Sequence, residues 1–407
     1  VLHLSTWKEV CGIANYTNNL IKHLDQHDIY NQVYPINRLE QKYLSLQEID
    51  QYFSSFCQEA KNFDLVHIQH EYGFFHGSHP FGKSIDIFHE ILKKLEKQKK
   101  KVIVSFHTDP IFVKPIYTVL LQRNKDGISQ SLNSLKWKLK IAPFFQKNQH
   151  RFTALVHTKR SRLEFLKSGF SSDAIKILKH GVTKRDNDHL LNQPTEINKA
   201  KLNLPPDSKL LSIFGFVSHY KGYRVAIEAL NYLPDNYYLA VIGGVHPSAG
   251  YDPTLDQILK VVELQQIPQP GSSLFLKLKD NIKDRVVITG FVDFDRLNLF
   301  QGATDICLAP YIDSSLSASG ALTWSLTSGK PIIASKIPAF QELNEEADCL
   351  ALATINAPNE LAWQILNLAG DAQLSEHLVR NALNYAEENS WENISSALIY
   401  VYKNVLN

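Results

Sequence analysis

The segment Ser314–Ser335, SSLSASGALTWSLTSGKPIIAS, is the most informative about the fold of this chain. Small hydroxylated residues lead through Gly320 into an apolar stretch of helical pattern, and residues 331–334 have the pattern of a buried strand. A helix that begins this way exposes backbone N–H groups at the positive end of its dipole, where phosphate groups bind. An ordinary capped helix followed by a strand has the same pattern. Both interpretations predict a helix–strand unit.

Working outward from this segment, apolar β-branched runs alternate with helical patterns along nearly the whole chain. Strands too apolar to have a solvated face, alternating with helices, predict parallel βαβ units of the α/β class. The chain is expected to be helical after Leu352, with a last helix near Trp391–Val405. The predicted strands are Val1–Leu4, Leu65–Gln69, Val102–Phe106, Ala154–His157, Ile175–Leu178, Leu210–Phe214, Tyr238–Ile242, Val286–Thr289, Ile306–Ala309 and Pro331–Ala334.

The polar segment Thr183–Ser208 has no strand pattern and contains two adjacent prolines, so it predicts a linker. Its position predicts two Rossmann-like domains, residues 1–185 and 205–385. The C-terminal residues 386–407 are expected to form a helix that packs back on the first domain. A chain of 407 residues is long enough for two such domains.

Composition narrows the classes of function. The formal charge is only +2, which gives no electrostatic argument for a nucleic-acid partner. The four cysteines form no C-x-x-C pair, which favours reduced thiols in a cytoplasmic protein. No signal-peptide pattern or membrane-spanning apolar run is present, so we expect at most peripheral membrane contact. The basic run Lys93–Lys101 fits a solvated helix end or a membrane-facing patch.

Loops that follow strands are candidate ligand sites, because ligands of open α/β sheets bind beyond the carboxyl ends of the strands. Gly12 opens a helix after the first strand, which suits either a phosphate loop or close packing. In FGFVSHYKG, residues 214–222, Ser218 and Lys221 precede a helix. The Lys221 ammonium could meet the same phosphate as the helix start at Ser317–Gly320, or it could be a solvated lysine.

Polar groups also follow two strands of the first half. Glu71 follows Leu65–Gln69 directly after His70, and His107 follows the strand that ends at Phe106. A histidine there can bond a ligand oxygen or hold a reacting hydroxyl, and it can equally bond nearby backbone.

Two patterns suggest a metal, and neither is favoured. His67, His70, His76 and His79 have zinc-like spacing, but His67 and His70 would point to opposite faces of one strand. Asp293-Phe294-Asp295 matches D-x-D, a pattern used elsewhere to hold a metal-bound nucleotide sugar. It more simply caps a helix that begins at Arg296.

Taken in order, these pieces resemble the GT-B-fold, family-4 type glycosyltransferases over nearly the whole chain. The matching elements are CGIANYT at 11–17, HIQHEYGFF at 67–75, VIVSFHT at 102–108, VHTKRSRLEF at 156–165, ILKHGV at 177–182, FGFVSHYKG at 214–222, VVITGFV at 286–292, ATDICLAPY at 303–311 and SASGALTWSLTSGKPIIAS at 317–335.

The resemblance implies two Rossmann-like domains with parallel sheets facing across a cleft. It further implies transfer with retention from a nucleotide-diphosphate sugar, without a metal or other cofactor, to a saccharide, lipid-linked or protein acceptor. By position, Lys221 would contact the diphosphate, with Ser218, Ser319, Gly320 and Gly12 beside it. Gly290, Phe291 and Val292 would line the base pocket, and His107 and Glu71 would act on the sugar and the acceptor.

The chain departs from the family pattern at two places. Leu316 and Trp324 stand where many members carry a Glu-x7-Glu pair, although a subgroup with S-x-S-G-A-L also lacks that pair. Phe216 stands near the place of a donor-site arginine, with Ser218 and His219 as candidate substitutes. A non-catalytic GT-B relative that binds a glycan or a partner, and a sugar-nucleotide epimerase, therefore stay open beside an active glycosyltransferase.

Overall fold

The computed structural model describes residues 1–77, 79, 82–110, 135–184, 189–245, 253–268, 275–314, 316 and 319–407. Their contacts form two compact units. Unit 1 contains Val1–Gly181 and Trp391–Asn407, and unit 2 contains Val182–Ser314 and Ser319–Ser390. Each unit has a six-stranded sheet in which neighbouring strands pair in parallel, so the predicted α/β class is confirmed.

The sheet of unit 1 has the strand order β2-β1-β3-β4-β5-β6. Its strands are β1 Leu2–Ser5, β2 Gln32–Pro35, β3 Leu65–His70, β4 Lys101–Phe106, β5 Phe152–Val156 and β6 Ile175–Ile177. Its helices before residue 181 are α1 Gly12–Leu24, α2 Arg38–Gln41, α3 Leu46–Glu59, α4 Gly82–Lys97, α5 Ala142–Lys147 and α6 Lys159–Lys167. Short 3-10 turns span Asp25–His27, Ala60–Asn62 and Tyr72–Phe74, and a π-helical turn spans Trp137–Ile141.

The main sheet of unit 2 has the strand order β11-β8-β7-β12-β13-β14. Its strands are β7 Lys209–Phe214, β8 Tyr237–Ile242, β11 Val286–Ile288, β12 Ile306–Ala309, β13 Ile332–Ser335 and β14 Ala351–Ala353, and a separate antiparallel pair is formed by β9 Gln266–Pro268 and β10 Phe275–Lys277. The helices are α7 His189–Asn192, α8 Thr195–Lys201, α9 Tyr223–Ala229, α10 Thr254–Leu264, α11 Ile282–Arg285, α12 Phe294–Ala303, α13 Gly320–Leu326, α14 Pro338–Ala347, α15 Pro358–Gly370 and α16 Ala372–Glu388. Two 3-10 turns span His219–Lys221 and Leu230–Tyr232.

The last helix, α17 Trp391–Leu406, packs on unit 1 against α1. Tyr16 and Leu20 of α1 and Leu398 and Tyr402 of α17 share one buried cluster with apolar residues of the sheet. On the opposite face of that sheet, a larger core rich in phenylalanine packs under α3 and α4. Both faces of the sheet are covered, which is why its central strands are apolar throughout.

All the predicted strands are present with ends within two residues of the expected ones, and β2, β9, β10 and β14 were not predicted. Asp293 caps α12 as expected, and its carboxylate accepts a hydrogen bond of 2.8 Å from Arg296 N. The helix nevertheless begins at Phe294, not at Arg296. In the part of the chain that the structure describes, every helix is too short or too polar to cross a bilayer.

Candidate functional site

The strand order of each sheet fixes where a ligand would bind. In unit 2, β7 is followed by β8 on one side, whereas β12 lies on its other side. In unit 1, β1 has the same relation to β2 and β3. Where strand order reverses in this way, the loops after the two central strands separate and leave a crevice at the carboxyl edge. The loops after β7, β12, β1 and β3 are thus the candidate site loops.

In unit 2 the loops after β7 and β12 are held tightly together. Gly222 has a left-handed backbone with a φ of +69°, and a Cβ there would lie 1.9 Å from the carbonyl oxygen of Pro310. Ile312 N donates to Tyr220 O at 2.8 Å, which joins the same two loops. Ser218 begins the 3-10 turn, and its carbonyl accepts from Lys221 N at 3.1 Å. This backbone geometry fixes the direction of the Lys221 side chain.

Lys221 points inward and is only 2% exposed. Its Nζ donates to the carbonyl of Phe214 at 2.9 Å, and burial lowers the pKa of this lysine to about 7. Gly215, with a φ of +91°, leaves room beside it, because a Cβ at that position would lie 2.7 Å from Nζ and 3.1 Å from Ala321 Cβ. The Lys221 amine and the first turn of α13 thus border the same space.

Ser319 is the N-cap of α13. Its hydroxyl accepts from Leu322 N at 3.2 Å and is 2.9 Å from the hydroxyl of Tyr311. Gly320 is exposed, and a Cβ there would meet no atom within 4 Å. Helix geometry leaves the N–H groups of Gly320 and Ala321 without partners inside the helix. The Ser319 hydroxyl is occupied by the helix, so backbone N–H groups are the donors offered there.

The residues expected at the base pocket follow β11. Gly290 lies opposite Gly243 in an isolated antiparallel bridge, and Val292 is partly exposed. Phe291 is 57% exposed, and its ring lies 6.0 Å from that of Phe216 at an interplanar angle of 72°. This aromatic pair was not predicted, because its members come from loops 75 residues apart.

The structure describes both residues that stand where many family members carry carboxylates, Leu316 and Trp324. Trp324 lies on α13 and is partly exposed, with its ring 6.2 Å from the exposed ring of Phe294. Leu316 is partly exposed. An indole and an aliphatic side chain cannot accept hydrogen bonds from sugar hydroxyls as carboxylates do.

In unit 1, Glu71 and His107 are brought together, because β3 and β4 pair with His70 opposite Phe106. Glu71 Oε1 accepts from Tyr72 N at 2.9 Å, and the hydroxyl of Thr108 donates to Oε2. Burial raises the pKa of Glu71, and these hydrogen bonds oppose that shift. The two predicted side chains of unit 1 thus lie side by side at one edge of the sheet.

His107 is partly exposed and has side-chain partners at both ring nitrogens. Nε2 lies 2.8 Å from Gln69 Oε1, and Nδ1 lies 3.3 Å from His157 Nε2. The ring of Tyr16 meets that of His107 edge-on, with 4.9 Å between centroids. Desolvation lowers the pKa of His107 well below its usual range, and the neighbouring His157 and His180 add to this. His107 is therefore a neutral imidazole at neutral pH.

Gly12 is the first residue of α1, and a Cβ there would meet no atom within 4 Å. Close packing therefore does not require glycine at this position. The preceding Cys11 makes no side-chain cap, so the first N–H groups of α1 have no cap from that residue.

The zinc-spaced histidines are used in other ways. His67 Nδ1 lies 2.7 Å from the hydroxyl of Tyr402, and His70 packs among aromatic rings that include Phe88. His76 Nδ1 and His79 Nε2 face backbone carbonyls at 2.7 and 3.2 Å. Across the described residues, no three His, Cys, Asp or Glu side chains converge in a metal-binding arrangement.

Comparison with known proteins finds a family whose sequence model matches part of this chain. Residues 194–385 match the sequence model of the family Glycosyl transferases group 1. A D-inositol 3-phosphate glycosyltransferase of Xylanimonas cellulosilytica is 25% identical over 206 residues, which cover 50% of this chain and 44% of that protein. The match therefore spans less than half the length of that relative.

Solved structures are similar over both units. HepE from Anabaena, solved in complex with UDP-glucose, is 14% identical, with a TM-score of 0.68 and coverage of 99% of this chain and 98% of that one. Sucrose-phosphate synthase from Thermosynechococcus elongatus is 16% identical, with a TM-score of 0.70 and coverage of 99% and 98%. At these identities the similarity shows the fold alone, and the predicted GT-B fold is confirmed.

Proposed function

We propose that this chain, whose residues 194–385 match the sequence model of the group 1 glycosyltransferases, transfers a sugar from a nucleotide-diphosphate sugar to an acceptor hydroxyl. In this proposal unit 2 binds the donor, and His107 and Glu71 of unit 1 act on the sugar and the acceptor. The proposal keeps the three acceptor classes that the sequence leaves open, which are a saccharide, a lipid-linked group and a protein. Retention of configuration and independence of metal are parts of the same proposal.

The observation that carries the proposal is Lys221, buried at the point where strand order reverses in unit 2. Among the described residues its Nζ donates to the carbonyl of Phe214, which is neutral, so the ammonium is not matched by a carboxylate at that contact. A diphosphate leaving group develops negative charge as the glycosidic bond breaks, and a fixed cation in a water-poor site stabilises that charge. Lys221 would thus supply the stabilisation that a metal ion provides in other enzymes.

A second buried lysine of unit 2, Lys199, has a different electrostatic environment from that of Lys221. It is also 2% exposed, but its Nζ lies 2.8 Å from Asp305 Oδ2 and donates to Ser208 O at 2.7 Å. Its charge is neutralised within the fold. Lys199 therefore serves as the matched control for Lys221.

The test compares Lys221→Met with Lys199→Met by calorimetric titration with UDP and UDP-glucose at pH 6.5. Loss of a hydrogen bond to a charged group costs about 1.5–3 kcal/mol, so Lys221→Met should weaken binding about 10- to 100-fold. Lys199→Met should lower the melting temperature and leave the affinity of the folded fraction within about twofold. Equal affinities of the two variants would overturn the assignment of Lys221.

The donor class is tested by thermal shift with a panel of nucleotide-diphosphate sugars. A donor at 100 times its dissociation constant should stabilise the folded chain by about 2.7 kcal/mol. A flat response to the whole panel would contradict a transferase of this class. Binding without transfer or hydrolysis would favour a non-catalytic role.

A further inference from the structure

A chain of buried polar side chains runs from helix α17 to His107 within unit 1. The hydroxyl of Tyr402 lies 2.7 Å from His67 Nδ1. On the other side of that ring, Nε2 lies 2.8 Å from Ser105 Oγ and 3.3 Å from the amide of Gln69. All four of these side chains are buried. The fold thus connects its last helix to the middle of the sheet through hydrogen bonds.

The chain continues through His107 to the backbone. The amide of Gln69 lies 2.8 Å from His107 Nε2, and His107 Nδ1 lies 3.3 Å from His157 Nε2. His157 Nδ1 lies 2.9 Å from the carbonyl oxygen of Leu178. A carbonyl oxygen only accepts, so His157 Nδ1 is the donor in this last contact, and the direction of the ring-to-ring and amide contacts can be traced back from it.

The donor and the acceptor of each hydrogen bond can be assigned in turn, starting from Leu178. His157 donates from Nδ1 to Leu178, and as a neutral ring it accepts at Nε2. His107 must then donate from Nδ1, which leaves its Nε2 as an acceptor. Gln69 therefore turns its NH2 group toward His107 and its oxygen toward His67 Nε2–H. His67 Nδ1 then accepts the hydroxyl hydrogen of Tyr402, and every group is satisfied without a charge.

The opposite amide orientation, with Oε1 2.8 Å from His107 Nε2 and the Gln69 nitrogen 3.3 Å from His67 Nε2, does not satisfy these hydrogen bonds, and the two orientations occupy the same space. With Gln69 oxygen toward His107, that ring would donate from Nε2, and its Nδ1 lone pair would face the lone pair of His157 Nε2. Only an added proton would relieve this contact, and desolvation lowers the pKa of both His107 and His157. The arrangement that fits these contacts is therefore the one in which all three histidines are neutral.

We propose that Gln69, His67 and Tyr402 are positioning residues that hold His107 as its Nδ1–H tautomer. In that state His107 Nε2 accepts a hydrogen and does not donate one, so the group that bonds there, the Gln69 amide or a sugar or acceptor hydroxyl that replaces it, must supply the hydrogen. The significance of this tautomer rests on the proposed function, because His107 is the residue that the proposed reaction uses.

The test measures the tautomer of His107 in the full chain by ¹⁵N NMR of imidazole nitrogens. His107→Gln identifies the His107 signals among those of the 16 histidines. The wild-type ring should be protonated at Nδ1. Gln69→Glu replaces the NH2 donor by a carboxylate that only accepts, so His107 should gain a proton at Nε2. Gln98→Glu is the matched control, because Gln98 lies in the same unit and its side chain donates to Cys57 O at 2.9 Å, outside the hydrogen bonds that reach His107.

An Nε2–H tautomer in the wild-type chain would overturn the proposal, even if Gln69→Glu does not fold. An unchanged His107 spectrum in folded Gln69→Glu would also overturn it. In a transfer assay, Gln69→Leu should lower kcat about tenfold and leave the donor KM within about twofold. If His107 of the wild-type protein is the Nδ1–H tautomer and no sugar is transferred, the tautomer proposal is supported and the proposed function is wrong. If the protein transfers sugar and its His107 is the Nε2–H tautomer, only the tautomer proposal is wrong.

Discussion

The carboxyl edges of the two sheets have the same topology and opposite chemistry. In unit 1, Glu71 and His107 are large polar side chains whose hydrogen bonds are made to other groups of the unit. In unit 2, small residues surround the helix start, and one buried amine donates to a backbone carbonyl. At the first edge the histidine network is neutral and has a fixed direction, whereas the second edge has an amine that can carry a positive charge.

This difference shows that one architecture can carry two kinds of chemistry at the same edge of its sheet. Glycines such as Gly215 and Gly222 let the backbone of unit 2 come close to its neighbours, so that a buried amine and N–H groups face the crevice. Such an edge is suited to an anion. In unit 1 the hydrogen-bonded network orients a single ring.

The largest effect is expected from Gly222→Ala in unit 2. The left-handed backbone disfavours a side chain, and the Cβ would lie 1.9 Å from a backbone oxygen that cannot move aside cheaply. We expect the free energy of unfolding to fall by about 3 kcal/mol or more. Gly12→Ala in unit 1 is the reference, because its Cβ meets open space, and it should change stability by less than about 0.5 kcal/mol. Similar midpoints in urea denaturation would contradict the close contact of the two loops.

The next effect concerns the pH dependence of UDP binding. The pKa of Lys221 is about 7 in the free protein, and a bound diphosphate favours the ammonium form, which raises that pKa. Binding above pH 7 therefore requires proton uptake, and affinity should fall about tenfold per pH unit between pH 7.5 and 9.

Calorimetric titrations in buffers of different ionisation enthalpy measure both the affinity and the proton uptake. Lys221→Met should remove the pH slope, and His107→Gln, which changes the other edge, should keep it. A slope that survives in Lys221→Met would show that another group titrates.

Much of the fold could be predicted because buried parallel strands are continuous apolar runs. The two missed edge strands of the main sheets lack that signal: β2 is only partly buried and ends at Pro35, and β14 has only three residues, Ala351, Leu352 and Ala353. The positions of Lys221 and Ser319 after β7 and β12 also followed from order along the chain. Their site roles stay predictions.

The partners of the site residues could not be predicted in the same way. Tyr402 and His67 are 335 residues apart, and no local periodicity connects them. The inward direction of Lys221 depends on Gly222 meeting Pro310, which is likewise a tertiary contact. A sequence pattern thus located the site loops, whereas the charge and direction of their groups came from packing.

The smallest expected effect is a pH-dependent change in stability that has opposite signs for two carboxylates of unit 1. Burial raises the pKa of Glu71, so the folded chain holds its proton more tightly than the unfolded chain does, and stability falls as pH rises through that range. Glu71→Gln removes this charge and can keep both contacts, so it should gain about 0.5 kcal/mol relative to wild type between pH 4 and pH 8. Glu48 is the reference, because its hydrogen bonds with Ser45 lower its pKa, and Glu48→Gln should lose stability relative to wild type over the same range. Unfolding free energies from urea titrations at the two pH values decide the signs, and parallel trends in the two variants would contradict a desolvated charge at Glu71.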